Sequence, residues 1–268
     1  MTAPEHPTAR SFFVRANNPS PMTLEGTNTW VLVEPGGSDA IVVDPGPDDA
    51  SHRDAIVAAV EEVGAHQLGL ILLTHGHADH AEGAGALAQR AAAPIRAIAP
   101  TLCSSGQKPL ADRERLTIGG LHLEVIATPG HTADSACFVI DADAALLTGD
   151  TILGRGSTVV ARPDGGLADY LATLHRLRAL VDGRPLLVVL PGHGPVIDDP
   201  ADKLDAYLQH REERLDQVRV AAIASDTVDE VLQAVYGDVP PELQFAARWS
   251  LLAQLDYLRD EGVSVPAE

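Results

Sequence analysis

Short β-branched or Leu-rich runs alternate with Ala-rich stretches of helical period through about residue 200, the pattern of an α/β protein. The apolar runs predict strands at Trp30–Glu34, Ala40–Asp44, Leu70–Thr74, Ile95–Ala99, Leu121–Ala127, Cys137–Ile140, Ala144–Thr148 and Leu186–Leu190. Several end in a polar residue followed by Gly or Pro. Between them the 3.6-residue period predicts helices over His52–Val63, Gly83–Ala92 and Leu167–Val181, the first with Ser51 as N-cap.

From Pro200 only the helical period continues: Lys203 to about Ala222, a segment opening at Thr227, and Glu242–Glu261. Thr227 with Glu230 is a capping-box spacing, Pro241 suits a first helical turn, and Gly262 suits a helix stop before a short Val-Ser-Val strand. The pattern divides the chain into residues 1–199 and a helical unit over 200–268. The stripe Leu204, Tyr207, Leu208, Leu215 and Val218 reads as packing between that unit and the main domain, or as the seam of a homodimer, in preference to a membrane or cofactor surface.

The chain has 268 residues, 45% of them hydrophobic and 21% charged, which excludes wholesale disorder and collagen-like or disulfide-scaffold readings. Its formal charge of -19 repels phosphate backbones and anionic lipid, which disfavours a polybasic nucleic-acid binder. The helical unit shares this balance, with 6 basic and 13 acidic residues from Lys203 onward. Cys103 and Cys137 form neither a CxxC spacing nor an extracellular framework, and Met1–Thr23 lacks the apolar stretch of a secretory signal, so a cytoplasmic location is expected. No apolar run approaches the roughly 20 residues of a membrane span.

Chemistry concentrates in Thr74-His75-Gly76-His77-Ala78-Asp79-His80, directly after the run Leu70–Leu73. Neutral imidazoles and carboxylates are good zinc donors, and crowding four of them onto one turn without a cation is costly. Side chains leaving a strand end and entering a helix diverge, so the segment can serve two ions. His131, Asp150 and His193 add three donors, each after an apolar run in a Gly-containing turn that lets the donor face a cleft. His6, His52, His66, His122, His175 and His210 stand singly and are expected to be structural or solvated.

These motifs in this order resemble the metallo-β-lactamase superfamily, with its H-x-H-x-D-H segment, a later His, a later Asp and a final His. The resemblance implies an αββα sandwich in which two mixed sheets face each other under helices. It implies one ion held by His75, His77 and His131, a second by Asp79, His80 and His193, and Asp150 bridging both. It places a supporting carboxylate at Asp44. Asn17–Thr29, Ile152–Val159, Pro191–Ile197 and His210-Arg211-Glu212-Glu213-Arg214 further resemble the beta-lactamase-like protein 2 family, which adds a small winged-helix-like domain after the catalytic fold. Some members of that family cleave single-stranded RNA, and related proteins include thioester hydrolases.

The resemblance implies a dinuclear zinc hydrolase, with Fe or Mn as alternative metals. Two such ions lower the pKa of a shared water from 15.7 to about 7, so a bridging hydroxide can attack an ester, thioester, lactone or phosphodiester. Asp79 is expected to orient that nucleophile and accept its proton, and Asn28 and Arg155 to contact substrate, a small acyl compound or single-stranded RNA. Two alternatives stand beside it: a one-iron oxidoreductase resembling the persulfide dioxygenases, using His75, His131 and Asp150, and a non-catalytic winged-helix binding protein.

Overall fold

Side-chain alternation along the central strands creates two apolar surfaces on one sheet. In β2 (Asn28–Leu32) and β3 (Asp39–Val43), Trp30, Leu32, Ile41 and Val43 face one core, while Val31, Ala40 and Val42 face another. Strands buried on both faces cannot show a polar alternation, which is why these segments read as continuous apolar runs. The computed structural model describes residues 6–267. Met1–Glu5 and Glu268, the outer ends of the two expected domains, lie outside the described residues.

Two compact units result: one of residues 1–128, 134–156 and 184–200, the other of 129–133, 157–183 and 201–268. The first contains two five-stranded mixed sheets. One has the order β1 (Ser11–Arg15), β2, β3, β4 (Gln67–Leu72), β5 (Ile95–Arg96), antiparallel through β3 and parallel beyond it. The other has the order β10 (Val188–Pro191), β9 (Ala145–Gly149), β8 (Ala136–Ile140), β7 (Leu121–Ala127), β6 (Arg115–Ile118), with only β10 and β9 parallel. Trp30, Leu32, Ile41 and Leu72 pack against Leu123, Val125, Phe138 and Leu147 to form the core between the sheets. On the outer face of the first sheet, Ile56 and Val60 of α1 (Ala50–Glu62) and Leu87 of α3 (Ala84–Ala91) cover Val31, Val42 and Ile71. A four-residue helix, α2 (Ala78–Ala81), precedes α3.

The N-cap of α1 is Asp49, earlier in the chain than the expected Ser51, and its carboxylate accepts the His52 N–H at 2.8 Å. β1 and β6 were not expected. β6 is a short strand carrying an exposed Arg, joined to β7 by Gly119-Gly120, both at positive φ, so its signal lies in the two-residue hairpin turn more than in the strand.

The second unit contains α4 (Leu167–Gly183), α5 (Pro200–Ala224), α6 (Val228–Tyr236) and α7 (Gln244–Asp260). Val218, Val231, Leu251 and Leu255 form its core. The Thr227–Glu230 capping box is formed at the start of α6. Leu204, Tyr207, Leu215 and Val218 of the stripe are buried and Leu208 is half-buried. The expected Val263–Val265 strand is corrected: these residues are irregular and pack on the helices, and residues 200–267 contain no strand with which they could pair. No helix among the described residues is long and apolar enough to cross a membrane.

Candidate metal centre

Parallel pairing brings the donor turns to common strand ends. β3 and β4 run parallel, so Asp44 and the Thr74–His80 segment leave the first sheet at the same end; β9 and β10 do likewise for Asp150 and His193 in the second. Irregular turns beyond the carboxyl ends of parallel strands are where ligand sites form in such sheets. Gly192 permits a close approach. A Cβ there would lie 2.7 Å from His80 Cε1 and 2.8 Å from Asp150 Oδ1.

All seven expected donors fall into three groups whose ligand atoms lie within 4.8 Å of one another: His75, His77 and His131; His75, His80 and Asp150; Asp79, His80 and His193. His75 Nε2 is 3.1 Å from His77 Nδ1, and His80 Nε2 is 3.1 Å from His193 Nε2. Around that second pair, Asp79 Oδ2 lies 3.1 Å from His193 and 3.6 Å from His80, and Asp150 Oδ1 lies 3.4 Å from both. Bonds of about 2.0–2.1 Å to a tetrahedral zinc ion require donors about 3.3–3.4 Å apart. The donor spacing thus fits the edges of a cation's coordination shell, and the His/Asp clusters fit a metal site.

The hydrogen bonds behind the donors fix which nitrogen faces the site. Asp44, held at φ 52 in the left-handed region, accepts the Thr74 N–H at 2.8 Å and the Thr74 hydroxyl at 2.7 Å. With that hydroxyl proton committed, Thr74 Oγ1 accepts from His75 Nδ1–H at 3.0 Å. His80 Nδ1–H donates to Asp44 Oδ2 at 2.8 Å. One carboxylate therefore leaves Nε2 of both imidazoles as lone-pair donors, the usual support for a ligating histidine. His131 Nδ1–H donates to the Val159 carbonyl at 2.7 Å with the same result.

Burial and charge oppose each other here. Burial pushes the His80 imidazole down, but the Asp150 and Asp44 carboxylates outweigh it and hold its pKa well above 6.5. His193 follows the same balance: burial lowers it, and Asp150 with Asp79 raises it to about 9. Burial raises the Asp150 carboxyl, yet His193 and His80 hold it well below 3.8. Asp79 is lowered too, burial being outweighed chiefly by His193.

Asn28, expected at the substrate, is 1% exposed and serves the ligand loop instead. Its amide donates to the carbonyls of Pro191 at 3.1 Å and Gly194 at 2.9 Å, and its backbone N–H donates to Gly192 O at 2.8 Å. The burial that keeps Asn28 from solvent makes it a positioning residue for His193. Trp30 Nε1 also donates to Pro191 O, and Thr27 pairs with His193 as a β-bridge while its hydroxyl donates to Asp79 O at 3.0 Å. Arg155 is exposed and ion-paired with Glu25 at 2.6 Å. Thr74 was missed by sequence reasoning; its adjacency to His75 was the available signal.

Residues 22–193 match the profile of the Metallo-beta-lactamase superfamily. The chain belongs to that superfamily. Among its relatives, the lactamase-like protein vrtG of Penicillium aethiopicum is 35% identical over 252 residues, covering 90% of this chain and 78% of its own length. A beta-lactamase-like protein 2 homolog of Drosophila melanogaster is 31% identical over 262 residues, covering 91% and 86%. A metallo-beta-lactamase family protein from Thermus thermophilus shares the fold with a TM-score of 0.77 at 23% identity, over 94% of each chain. The metallo-beta-lactamase fold accounts for the two mixed sheets and for the helices over the first of them.

Proposed function

We propose that the protein is a dinuclear, zinc-dependent hydrolase of an ester, thioester, lactone or phosphodiester, with a small acyl compound or single-stranded RNA as substrate. The spacing of 3.1–3.6 Å among His80, His193, Asp79 and Asp150 carries this reading, because it matches the donor separation that zinc demands. His75, His77 and His131 would hold one ion and Asp79, His80 and His193 the other. Asp150, grouped with one histidine of each set, would contact both. When bound, such ions supply Lewis acidity and a water acidic enough to ionise near neutral pH.

Asp79 is 30% exposed where His80 is fully buried, so its carboxylate is the donor best placed to reach a water in the cleft and accept its proton. Arg155 would meet a substrate anion by exchanging it for Glu25. The division into a catalytic domain over 1–199 and a helical domain over 200–268, and a cytoplasmic location, complete the proposal; without a strand in 200–267 the helical domain lacks the wing of a winged helix. Two free cysteines, Cys103 and Cys137, agree with a reducing compartment.

Metal analysis of purified protein, followed by thioester, lactone, phosphodiester and short RNA substrates, tests the reading. Two zinc ions per chain and hydrolysis lost on chelation and in Asp79→Ala are expected. A single bound iron would move the assignment to the oxidoreductase alternative.

A further inference from the structure

The motif His210-Arg211-Glu212-Glu213-Arg214 lies on α5, far along the chain from the metal-donor turns, and the proposed hydrolysis leaves it without a role. Its two arginines are placed differently. Arg214 donates to the Val235 carbonyl at 2.8 Å and lies over the Tyr236 ring at 4.7 Å, which fastens α5 to α6. Arg211 is 7% exposed, donates to the Thr158 carbonyl, and lies over the Tyr170 ring at 4.9 Å. Its Nε finds no hydrogen-bond partner among the described residues. For stability alone this is a poor place for a cation, because an apolar side chain of similar volume would avoid the desolvation cost.

Both of its contacts lead to His131. The next carbonyl along the chain, that of Val159, accepts from His131 Nδ1–H at 2.7 Å. Tyr170 supports the other side: a Cβ on Gly130 would lie 2.3 Å from Tyr170 Cα, so the residue before His131 sits directly against this helix backbone. Thr173, one turn further along α4, donates to the Pro129 carbonyl at 2.7 Å. The Pro129–His131 turn is thus seated on α4, and its imidazole is aimed by a carbonyl whose neighbouring peptide Arg211 holds.

We propose that Arg211 is a positioning residue for His131, fixing its Nδ1-protonated tautomer and the direction of Nε2 through the Thr158–Val159 peptide. The proposal rests on the reading of His131 as a metal donor. It makes α5 part of the support of the metal centre.

Zinc titration of the full chain against a chromophoric chelator, together with imidazole ¹H–¹⁵N spectra of the metal-free protein, tests it in Arg211→Met, Arg211→Lys, Arg214→Met and His131→Ala. Arg211→Met is expected to weaken one of two zinc ions by about 10- to 100-fold, as loss of such support does, and to release His131 from a single tautomer. Arg211→Lys keeps the charge without the planar fork and is expected to show a smaller loss of the same ion. Arg214→Met is expected to lower the unfolding midpoint with zinc affinity unchanged.

Wild-type zinc affinity and wild-type His131 shifts in Arg211→Met overturn the proposal; if that variant does not fold, the same result in Arg211→Lys does so. An equal zinc loss in Arg214→Met overturns it too, since the effect would then follow general destabilisation. His131→Ala separates the two levels. If it retains both ions, the reading of His131 as a donor fails; if it loses one while the Arg211 variants lose none, only the Arg211 proposal fails.

Discussion

Gly192 and His52 show how much of the centre is decided by single residues. A Cβ on Gly192 would press on both His80 and Asp150, and His80 has no room to retreat because it is fully buried and tied to Asp44. In Gly192→Ala, zinc binding at the His80–His193 site is expected to fall at least tenfold while the far-UV CD spectrum is retained; calorimetric titration reads the difference. His52 was expected to be an isolated structural or solvated histidine. It is buried, and because the Thr29 hydroxyl donates to Asp44 O at 2.7 Å, Thr29 Oγ1 accepts from His52 Nε2–H at 2.8 Å.

Burial pushes the His52 imidazole down to about 4 from 6.5, against the opposing pull of Asp49. The unfolded chain then takes up the proton first, so this residue's share of stability is intact above pH 6.5 and is lost as pH falls toward 4. Between pH 7.5 and 5 the loss should be about 2 kcal/mol. Urea unfolding at the two pH values checks this: His52→Gln should show a shallower decline than the natural sequence, and an identical decline would refute the assignment.

At the scale of elements, β2 does more than complete a sheet. Its first residue, Asn28, ties the strand to the Pro191–Gly194 loop, and Trp30 adds a third donor to the same loop. Removing the amide takes the side-chain donor from the Gly194 carbonyl and leaves Pro191 O with Trp30 alone, a cost of about 1–3 kcal/mol for a buried group that loses its partner. Asn28→Ala is therefore expected to lower unfolding stability by about 2 kcal/mol and to weaken zinc binding at His193 more than at His77. A variant that loses stability but binds zinc normally would show that β2 supports the fold and not the centre.

The helical elements were readable from capping and spacing, as the Thr227–Glu230 box at the start of α6 shows. β6 was not, because four residues with a charged first position carry little pattern of their own and depend on β7 as partner. The Val263–Val265 segment failed for the converse reason: β-branched composition needs a neighbouring edge to become a strand, and none is offered there.

For the whole molecule, the metal ions and the fold are expected to stabilise each other. His80 and His193 are 113 residues apart in sequence, yet their Nε2 atoms face each other at 3.1 Å beside two carboxylates. An ion bound only by the folded chain stabilises it by about 4 kcal/mol at a thousandfold excess over Kd. Exhaustive chelation should lower Tm by several degrees, and added zinc should restore it. A Tm indifferent to both treatments would argue that these donors hold no ion.

The sequence by itself determined the donor types, their place after apolar strands, the α/β pattern and the helical character of residues 200–268, because each is encoded by neighbours a few residues apart. The tertiary structure decided which donors share a site, that Asn28 turns inward to hold a loop, that Thr74 carries the influence of Asp44 to His75, and that Arg211 reaches the carbonyl next to the one that accepts from His131. Those choices depend on strand register and on contacts between distant segments. Local periodicity does not specify them; they follow from how the sheets and helices pack.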